Sequence, residues 1–461
     1  MQEYLHLSQE QQYALLARRG KHTVGYADSV ATTWSLSFEQ IEQSNQAAAE
    51  FLQLCAFVAP DQFPEEVLIQ GASFWPAALQ EAVSDRWRFN QLLETVQAFS
   101  LVQRFGEERL LRLHRLVQVV QQAHMDKRDQ KQWAERLVQA VHALLPTDAR
   151  VEIESWPQCQ RVVEQAKNCD QLIRQYGLQQ EEAIALLERA GIYLRERGSF
   201  AQAKQLLLHA LCLHEQQGTP QVLPMTTLLL NLANLSSQRG KDQEAEAFCQ
   251  RALQIRQHHL GPEHLDVALA LHWLVNIVAN RGRLKQAERL YAQALQIREE
   301  QSGPEHPLVA TSLLGLSLVY ERQKQYTQAE ALTMRTLRIR EQQFGSDHPQ
   351  TILAINGLAV IYAHQGKDEQ AEPLYLRSLH IQECLLGADH PQLGSPLDGL
   401  ARIYAHQGKD EQAELFYLRA IHILEQQSLT EHLHLTFPIT GKRSFIEQQD
   451  PIAFASQKQS N

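Results

Sequence analysis

Gly345-SDHPQTILAINGLAVIYAHQGKDEQAEPLYLRSLHIQECLL-Gly387 holds one complete copy of the unit from which more than half of this chain is built. The apolar residues recur at helical rather than strand spacing, so the stretch predicts two amphipathic helices. Helix A spans about Pro349 to Gln365 and helix B follows at Asp368-EQAEPLYLRSLHIQECLL. Gly366 separates them, as expected where a left-handed residue closes a helix and a Cβ would be penalised. In helix B, Ala371, Leu374, Leu379 and Ile381 are the expected inward positions. Ala371 and Ser378 share one face seven residues apart, small enough for neighbouring backbones to approach closely.

Working outward, the turn glycine recurs every 42 residues as Gly198, Gly240, Gly282, Gly366 and Gly408, with Lys324 in the remaining slot. Ala203, Ala245, Ala287, Ala329, Ala371 and Ala413 keep the same period, as do Ala210, Ala252, Ala294, Thr336, Ser378 and Ala420. Six units in phase predict an α-solenoid, an architecture used chiefly to bind other proteins. If the fourth turn keeps the common geometry, Lys324 costs about 1 kcal/mol relative to glycine; otherwise that turn is built differently. Ser395-Pro396-Leu397-Asp398 reads as a capped, late start to the sixth A helix, with Ser395 as N-cap. Pro373 lies past the first turn of a B helix, where a kink is expected.

Four units open on Gly-acid-His phrases that bring in His264, His306, His348 and His390. A shared metal is not expected of them. Equivalent atoms in stacked units lie about 10 Å apart, whereas zinc gathers its ligands within about 2 Å of one point. The phrases are instead expected to cap helices, and Pro307, Pro349 and Pro391 suit the first helical turn that follows.

The chain has 461 residues, too many for one compact core, and its 44% hydrophobic and 21% charged composition is ordinary for a water-soluble protein. No membrane span and no secretory leader is legible, so the cytoplasm is expected. Six cysteines without a CxxC pair are expected to be free thiols. A net charge of −10 argues against broad nucleic-acid or anionic-membrane binding. HExxH, GxSxG and a paired nucleophile and base are missing from the sequence, so neither an enzyme nor a cofactor or metal is expected.

Residues 1–176 do not repeat. A helix is expected over Ser37–Val58 with Phe51, Leu52, Leu54 and Cys55 inward, a short one near Pro64–Leu68, and a third over Phe89–Ala98. SLVQRF-GEE-RLLRLH, residues 100–114, reads as a β-hairpin, and His114 opens the next helix. Three helices and a hairpin outline a winged helix. DNA binding by it is disfavoured, because Asp85 to Asp129 holds eight Lys/Arg against six Asp/Glu and leaves no basic footprint. Helices over Trp133–Leu145 and Trp156–Tyr176 make a spacer.

The repeat text, including Gly303-PEHPLVATSLLGLSLVYERQ and Ile361-YAHQGKDEQAEPLYLRSL, resembles tetratricopeptide repeats of the long, kinesin-light-chain type. That resemblance implies a concave surface lined by the A helices, presented about three, six, nine and ten residues before each turn glycine. Here those positions bring forward Asn231, Asn234, His272, Trp273, Asn276, Asn356, Asp398 and Arg402 as candidates to hold a partner peptide or protein. Asparagine offers both a donor and an acceptor, so it can hold a peptide backbone without fixing its sequence. A carboxylate clamp is not expected, because Arg402 is the one clear basic residue on this face in the later units.

The amino-terminal text, from ATTWSLSFEQIEQ through LHRLVQVV, resembles the winged-helix part of bacterial NB-ARC, or STAND, regulators. It implies a remnant of their helical domain at 1–27, a winged helix at 28–126, a helical spacer at 127–176, six repeats at 177–428 and a tail at 429–461. No GxxxxGK[ST] phosphate loop occurs, so ATP chemistry is not implied. The expected role is recognition in a STAND-type system, as the half left by a truncated gene or beside a nucleotide-binding protein acting in trans. The alternative is a winged-helix transcription regulator with the repeats as its sensor.

Overall fold

The computed structural model describes residues 30–146, 156–217 and 222–430. The expected helical remnant at 1–27, and the tail beyond Thr430 with Phe437, Phe445 and Phe454, lie outside the described residues. The chain forms two compact units, one ending at Lys241 and the other beginning at Asp242.

The first unit starts as a small α+β module. Its first helical stretch is two helices, α1 (Val30–Ser44) and α2 (Gln46–Cys55), rather than one helix over Ser37–Val58. Asn45 makes the break: it leaves the helical conformation and its Oδ1 accepts the Ala48 N–H at 3.1 Å, a cap preferred to continuing the helix. The inward residues are as expected, with Phe51, Leu52, Leu54 and Cys55 buried. Strand β1 (Phe63–Pro64) and α3 (Glu65–Gln70) follow, then α4 (Ala77–Ser84) and α5 (Arg86–Ala98), which Asp85 caps. The hairpin is β2 (Val102–Phe105) and β3 (Leu110–Leu113), and β1 adds to its far edge to give an antiparallel sheet of order β1-β3-β2. So the module has an extra strand and extra helices beyond three helices and a hairpin. A two-residue strand ending in proline carries no alternation for a sequence reading to find.

Helix α6 (Arg115–His124), capped by His114, leads to α7 (Lys127–Leu144) and α8 (Trp156–Tyr176). Helix α8 docks on the module through one polar row. Arg161 reaches the Glu108 carbonyl at 2.7 Å and Glu66 at 3.0 Å, fully buried Gln165 accepts the Ala59 N–H and donates to the Gln62 carbonyl, and Asn168 donates to the Phe57 carbonyl. On its other side Asp170 pairs with His209 of the first repeat. Burial alone would raise the Asp170 carboxyl, but hydrogen bonds from His209 and Arg174 outweigh it and hold the group below its ordinary value.

The repeats are helix pairs in sequence order: α9 (Glu181–Glu196) with α10 (Phe200–Gln216), α11 (Val222–Gln238) followed by α12 (Asp242–Leu260), α13 (Leu265–Asn280) with α14 (Leu284–Ser302), α15 (Pro307–Arg322) with α16 (Tyr326–Phe344), α17 (Pro349–His364) with α18 (Asp368–Leu386), and α19 (Gly394–His406) with α20 (Asp410–Thr430). Each turn from A to B is the same left-handed closure. Lys367 N–H bonds the Tyr362 carbonyl at 2.9 Å across Gly366, and Gln325 N–H bonds the Tyr320 carbonyl at 2.8 Å across Lys324. With φ +62°, Lys324 sits among glycines at +68° to +75°, so the fourth turn keeps the common geometry and carries a side chain where its neighbours carry none.

The 42-residue text recurs as three-dimensional ladders. Arg335 pairs with Glu299, Arg377 with Glu341 and Arg419 with Glu383, each joining one B helix to the next. Buried Arg298 and Arg340 donate to the Leu308 and Gln350 carbonyls at the start of the next A helix. The four loop histidines cap helices, each accepting through Nδ1 the N–H two residues on at 3.1–3.3 Å. His264, His306 and His348 cap A helices directly, whereas His390 caps a 3-10 turn, Pro391–Leu393, which runs into α19. The sixth A helix does start late, but Ser395 is not its N-cap: the helix begins at Gly394 from a helical Leu393 and makes no side-chain cap bond. Helix α18 runs unbroken through Pro373. Cys55, Cys159, Cys169 and Cys249 are buried thiols outside any disulfide, Cys212 and Cys384 exposed ones, and burial pushes Cys249 up to about 12. Among the described residues no helix is long and apolar enough to cross a membrane.

Candidate functional site

Each A helix after the first leaves a single accessible stripe between two buried flanks. In α13 the stripe runs Leu269, His272, Trp273, Asn276, while Val267, Ala268, Ala270, Leu271, Leu274 and Val275 between them are buried. The spacing follows from 3.6 residues per turn: in the second unit each A helix packs on the B helix before it and the B helix after it, which leaves one stripe uncovered. In the second unit α15 also touches α17, and α17 touches α19, whereas B helices do not approach one another to that degree. The A helices therefore line the inner side of this stack.

All eight candidates lie on such stripes. Asn231 and Asn234 are half-buried on α11 in the first unit, where Arg195 donates to the Asn231 Oδ1 at 3.4 Å. The other six are in the second unit. Asn276 and Arg402 are exposed, and His272, Trp273, Asn356 and Asp398 are half-buried. Three residues ten positions before the turn residue share a property: the His272 Nδ1, the Asn356 Oδ1 and the Asp398 Oδ1 are buried atoms without a hydrogen-bond partner.

Tyr291 of α14 organises the stripe at repeat 3. Its hydroxyl donates to the Asn276 Oδ1 at 3.0 Å, so the free group of Asn276 is its amide NH₂. Its ring meets His272 edge-on at 5.8 Å. Burial, then the charge of Arg298, lowers His272 to about 4, so the ring is neutral near pH 7. Burial pushes Tyr291 up to about 12. At repeat 6 burial raises the Asp398 carboxyl and Arg402 partly offsets it, while burial raises Tyr375 alongside.

The position nine residues before the turn residue is Trp273, then Gly315, Gly357 and Gly399. A Cβ at Gly315 would lie 2.3 Å from the Tyr291 ring and one at Gly399 2.4 Å from the Tyr375 ring. These glycines admit tyrosines from the preceding B helix. Trp273 has Cys249 at the corresponding B position, so bulk is exchanged between the two columns. Sequence reasoning missed the tyrosines, and it missed the exposed leucines of the stripe: Leu269, Leu318 and Leu353, 39%, 50% and 58% accessible. The signal was present, for Leu318 occupies the column of Asn276 and Arg402. A cleft at the turn edge, lined by Gly282, Lys285, Glu288, Gln323 and Gln325 among others, includes none of the candidates.

Tetratricopeptide repeat family models match residues 266–342, 316–383 and 352–426, and a second such model matches 226–266. This stretch is thus a tetratricopeptide-repeat solenoid. A domain of unknown function, DUF7779, matches residues 39–130. No curated protein matches the chain. Among solved structures, the nearly identical repeats of a kinesin light chain from Podosopora anserina are 24% identical, covering 44% of this chain and 95% of that one, with a TM-score of 0.39. BtubC (BKLC) from P. vanneervenii is 18% identical over 68% of this chain and 96% of its own, TM-score 0.31. A tetratricopeptide repeat protein from Parabacteroides merdae is 17% identical over 63% and 93%, TM-score 0.43.

Proposed function

We propose that this protein is a recognition scaffold whose A-helix stripes hold a segment of a partner protein or peptide. Tetratricopeptide repeats are protein-interaction scaffolds. The observation that carries the reading is the set of unpartnered polar atoms at His272, Asn356 and Asp398, on faces otherwise flanked by closed packing. Buried polar atoms ordinarily find partners, and an incoming backbone supplies them. The helix–strand–helix–hairpin order of the module supports the winged-helix expectation, and with it a place in a bacterial STAND-type regulatory system beside a nucleotide-binding protein in trans. The polar row of α8 is suited to a relay, because it ties the hairpin turn to the spacer on which repeat 1 packs.

DNA binding is the weaker reading. Arg88, Arg104, Arg115 and Arg161 are paired with Glu81, Glu65, Asp61 and Glu66, which removes cations that phosphate contacts would need. The test is a cross-linked pull-down from the source cells with the full chain and its Asn276→Ala, Asn356→Ala variant. A partner held by the first and lost by the second supports the scaffold reading; the same partners on both would move binding off the stripe. Salt-dependent retention of duplex DNA on a filter would favour the second reading.

A further inference from the structure

We infer that residues 431–449 of this chain form a seventh A helix, which seats on the outer face of α20 and ends the solenoid on a half repeat. The 42-residue phase continues beyond Thr430. Glu431-His432 falls in the column of the capping acid-histidine pairs, after Asp389-His390. Pro438 follows Pro396 in phase, Ile439 follows Leu397, and Gly441 continues the column of Gly315, Gly357 and Gly399. Asp450 takes the turn position, and Pro451 directly after it disfavours a helical residue there, so the helix stops.

Three columns of the A helices separate what faces the preceding B helix from what faces the following one. Nine residues before the turn residue, Gly315 and Gly399 lie against the Tyr291 and Tyr375 rings of the preceding B helix. Tyr417 of α20 is the next tyrosine of that column, and Gly441 the next glycine. One residue before the turn, Gln323, Gln365 and Gln407 donate to Glu288, Glu330 and Glu372 of the preceding B helix at 3.0–3.3 Å. Gln449 and Glu414 continue that pair. Seven residues before the turn, the side chain meets the following B helix instead: a Cβ on Gly191 would touch Leu207, and Ser317 bonds the Ala329 carbonyl and the Thr333 hydroxyl. That column is Gly191, Ala233, Val275, Ser317, Ala359 and Ala401, all buried, and then Arg443. The segment thus keeps the residues that fit a helix before it and replaces the small one that a helix after it would need, as the last helix of a stack with a solvated outer side requires. The receiving face is there on α20: Glu414 is exposed where Glu372 is half-buried, Ile421 is half-buried where Leu379 is buried, and Tyr417 is buried as Tyr375 is.

The experiment is hydrogen exchange of the full chain, read at the amides of α19 and α20, with Gly441→Ala as the perturbation. The new methyl should meet Tyr417 as one at Gly399 would meet Tyr375, and protection of the α20 amides should fall about tenfold or more. In a Tyr417→Thr background, which copies the Thr333–Gly357 pairing, Gly441→Ala should leave protection unchanged or raise it. Arg443→Ala, on the side without a following helix, should change protection less than about twofold. Equal protection with and without Gly441→Ala, or a loss that persists in the Tyr417→Thr background, would overturn the inference. Protection that rises with protein concentration, beside a dimer in light scattering that Gly441→Ala dissociates, would place the segment of one copy on α20 of another and overturn closure within one chain.

Discussion

Alanine at Gly315, Gly357 and Gly399 should have opposite effects at equivalent positions. All three glycines lie inside A helices, nine residues before the turn residue. Helix propensity alone favours alanine by about 1 kcal/mol at each. At Gly357 the new methyl would meet Leu314 and Thr333 side-chain carbons at 3.6 Å, ordinary contact, so Gly357→Ala should stabilise by about 1 kcal/mol. At Gly315 it would meet the Tyr291 ring at 2.3 Å, which forces the ring or the helix to move. Overpacking of that severity costs about 3 kcal/mol, for a net loss of about 2. Gly399→Ala should behave likewise against Tyr375, at 2.4 Å. Solenoids open repeat by repeat, so hydrogen exchange of the amides in α15, α17 and α19 is the appropriate assay, with urea midpoints alongside. In a Tyr291→Thr background, which copies the Thr333–Gly357 pairing, Gly315→Ala should turn favourable, a coupling of about 3 kcal/mol. Equal effects of Gly315→Ala and Gly357→Ala would refute the reasoning.

Four further outcomes are expected. Lys324→Gly relieves a left-handed residue worth about 1–2 kcal/mol and gives back about 0.4–1 through the freer unfolded chain, so repeat 4 should gain about 0.5 kcal/mol in urea unfolding. His272 has a folded pKa of about 4, below the unfolded value, so its contribution is present above about pH 6.5 and is lost as pH falls toward 4; His272→Gln should remove up to about 3 kcal/mol of that acid sensitivity. Arg298→Met leaves the Leu308 carbonyl and the Ser312 hydroxyl without their charged donor, and α15 amides should lose about 2 kcal/mol of exchange protection. By contrast, Arg377→Ala breaks a partly exposed ladder pair and should cost no more than about 1 kcal/mol in the same assay.

The solenoid was legible because glycine and alanine at a fixed period report backbone requirements directly, and even the odd Lys324 proved a substitution within one geometry. The module was legible only where an element was long enough to show its period. Asn45, β1 and α4 escaped because a cap, a strand ending in proline and an eight-residue helix leave little pattern. Candidate residues on the A helices could be placed on the accessible stripe by counting from the turn. Their chemistry could not, because the orientation of Asn276 depends on Tyr291, fifteen residues away on another helix. The late start of α19 was visible in Pro396, yet its cap was assigned to the wrong residue, since a 3-10 turn capped by His390 precedes the helix.

The central claim is that the A-helix face is the working surface. A photo-cross-linking residue placed at Asn276 and, separately, at Leu318 should trap a partner in the source cells, while the same residue at Met334 or Leu376, exposed on B helices, should trap none. Adducts from the B-helix positions, with none from Asn276 or Leu318, would contradict it.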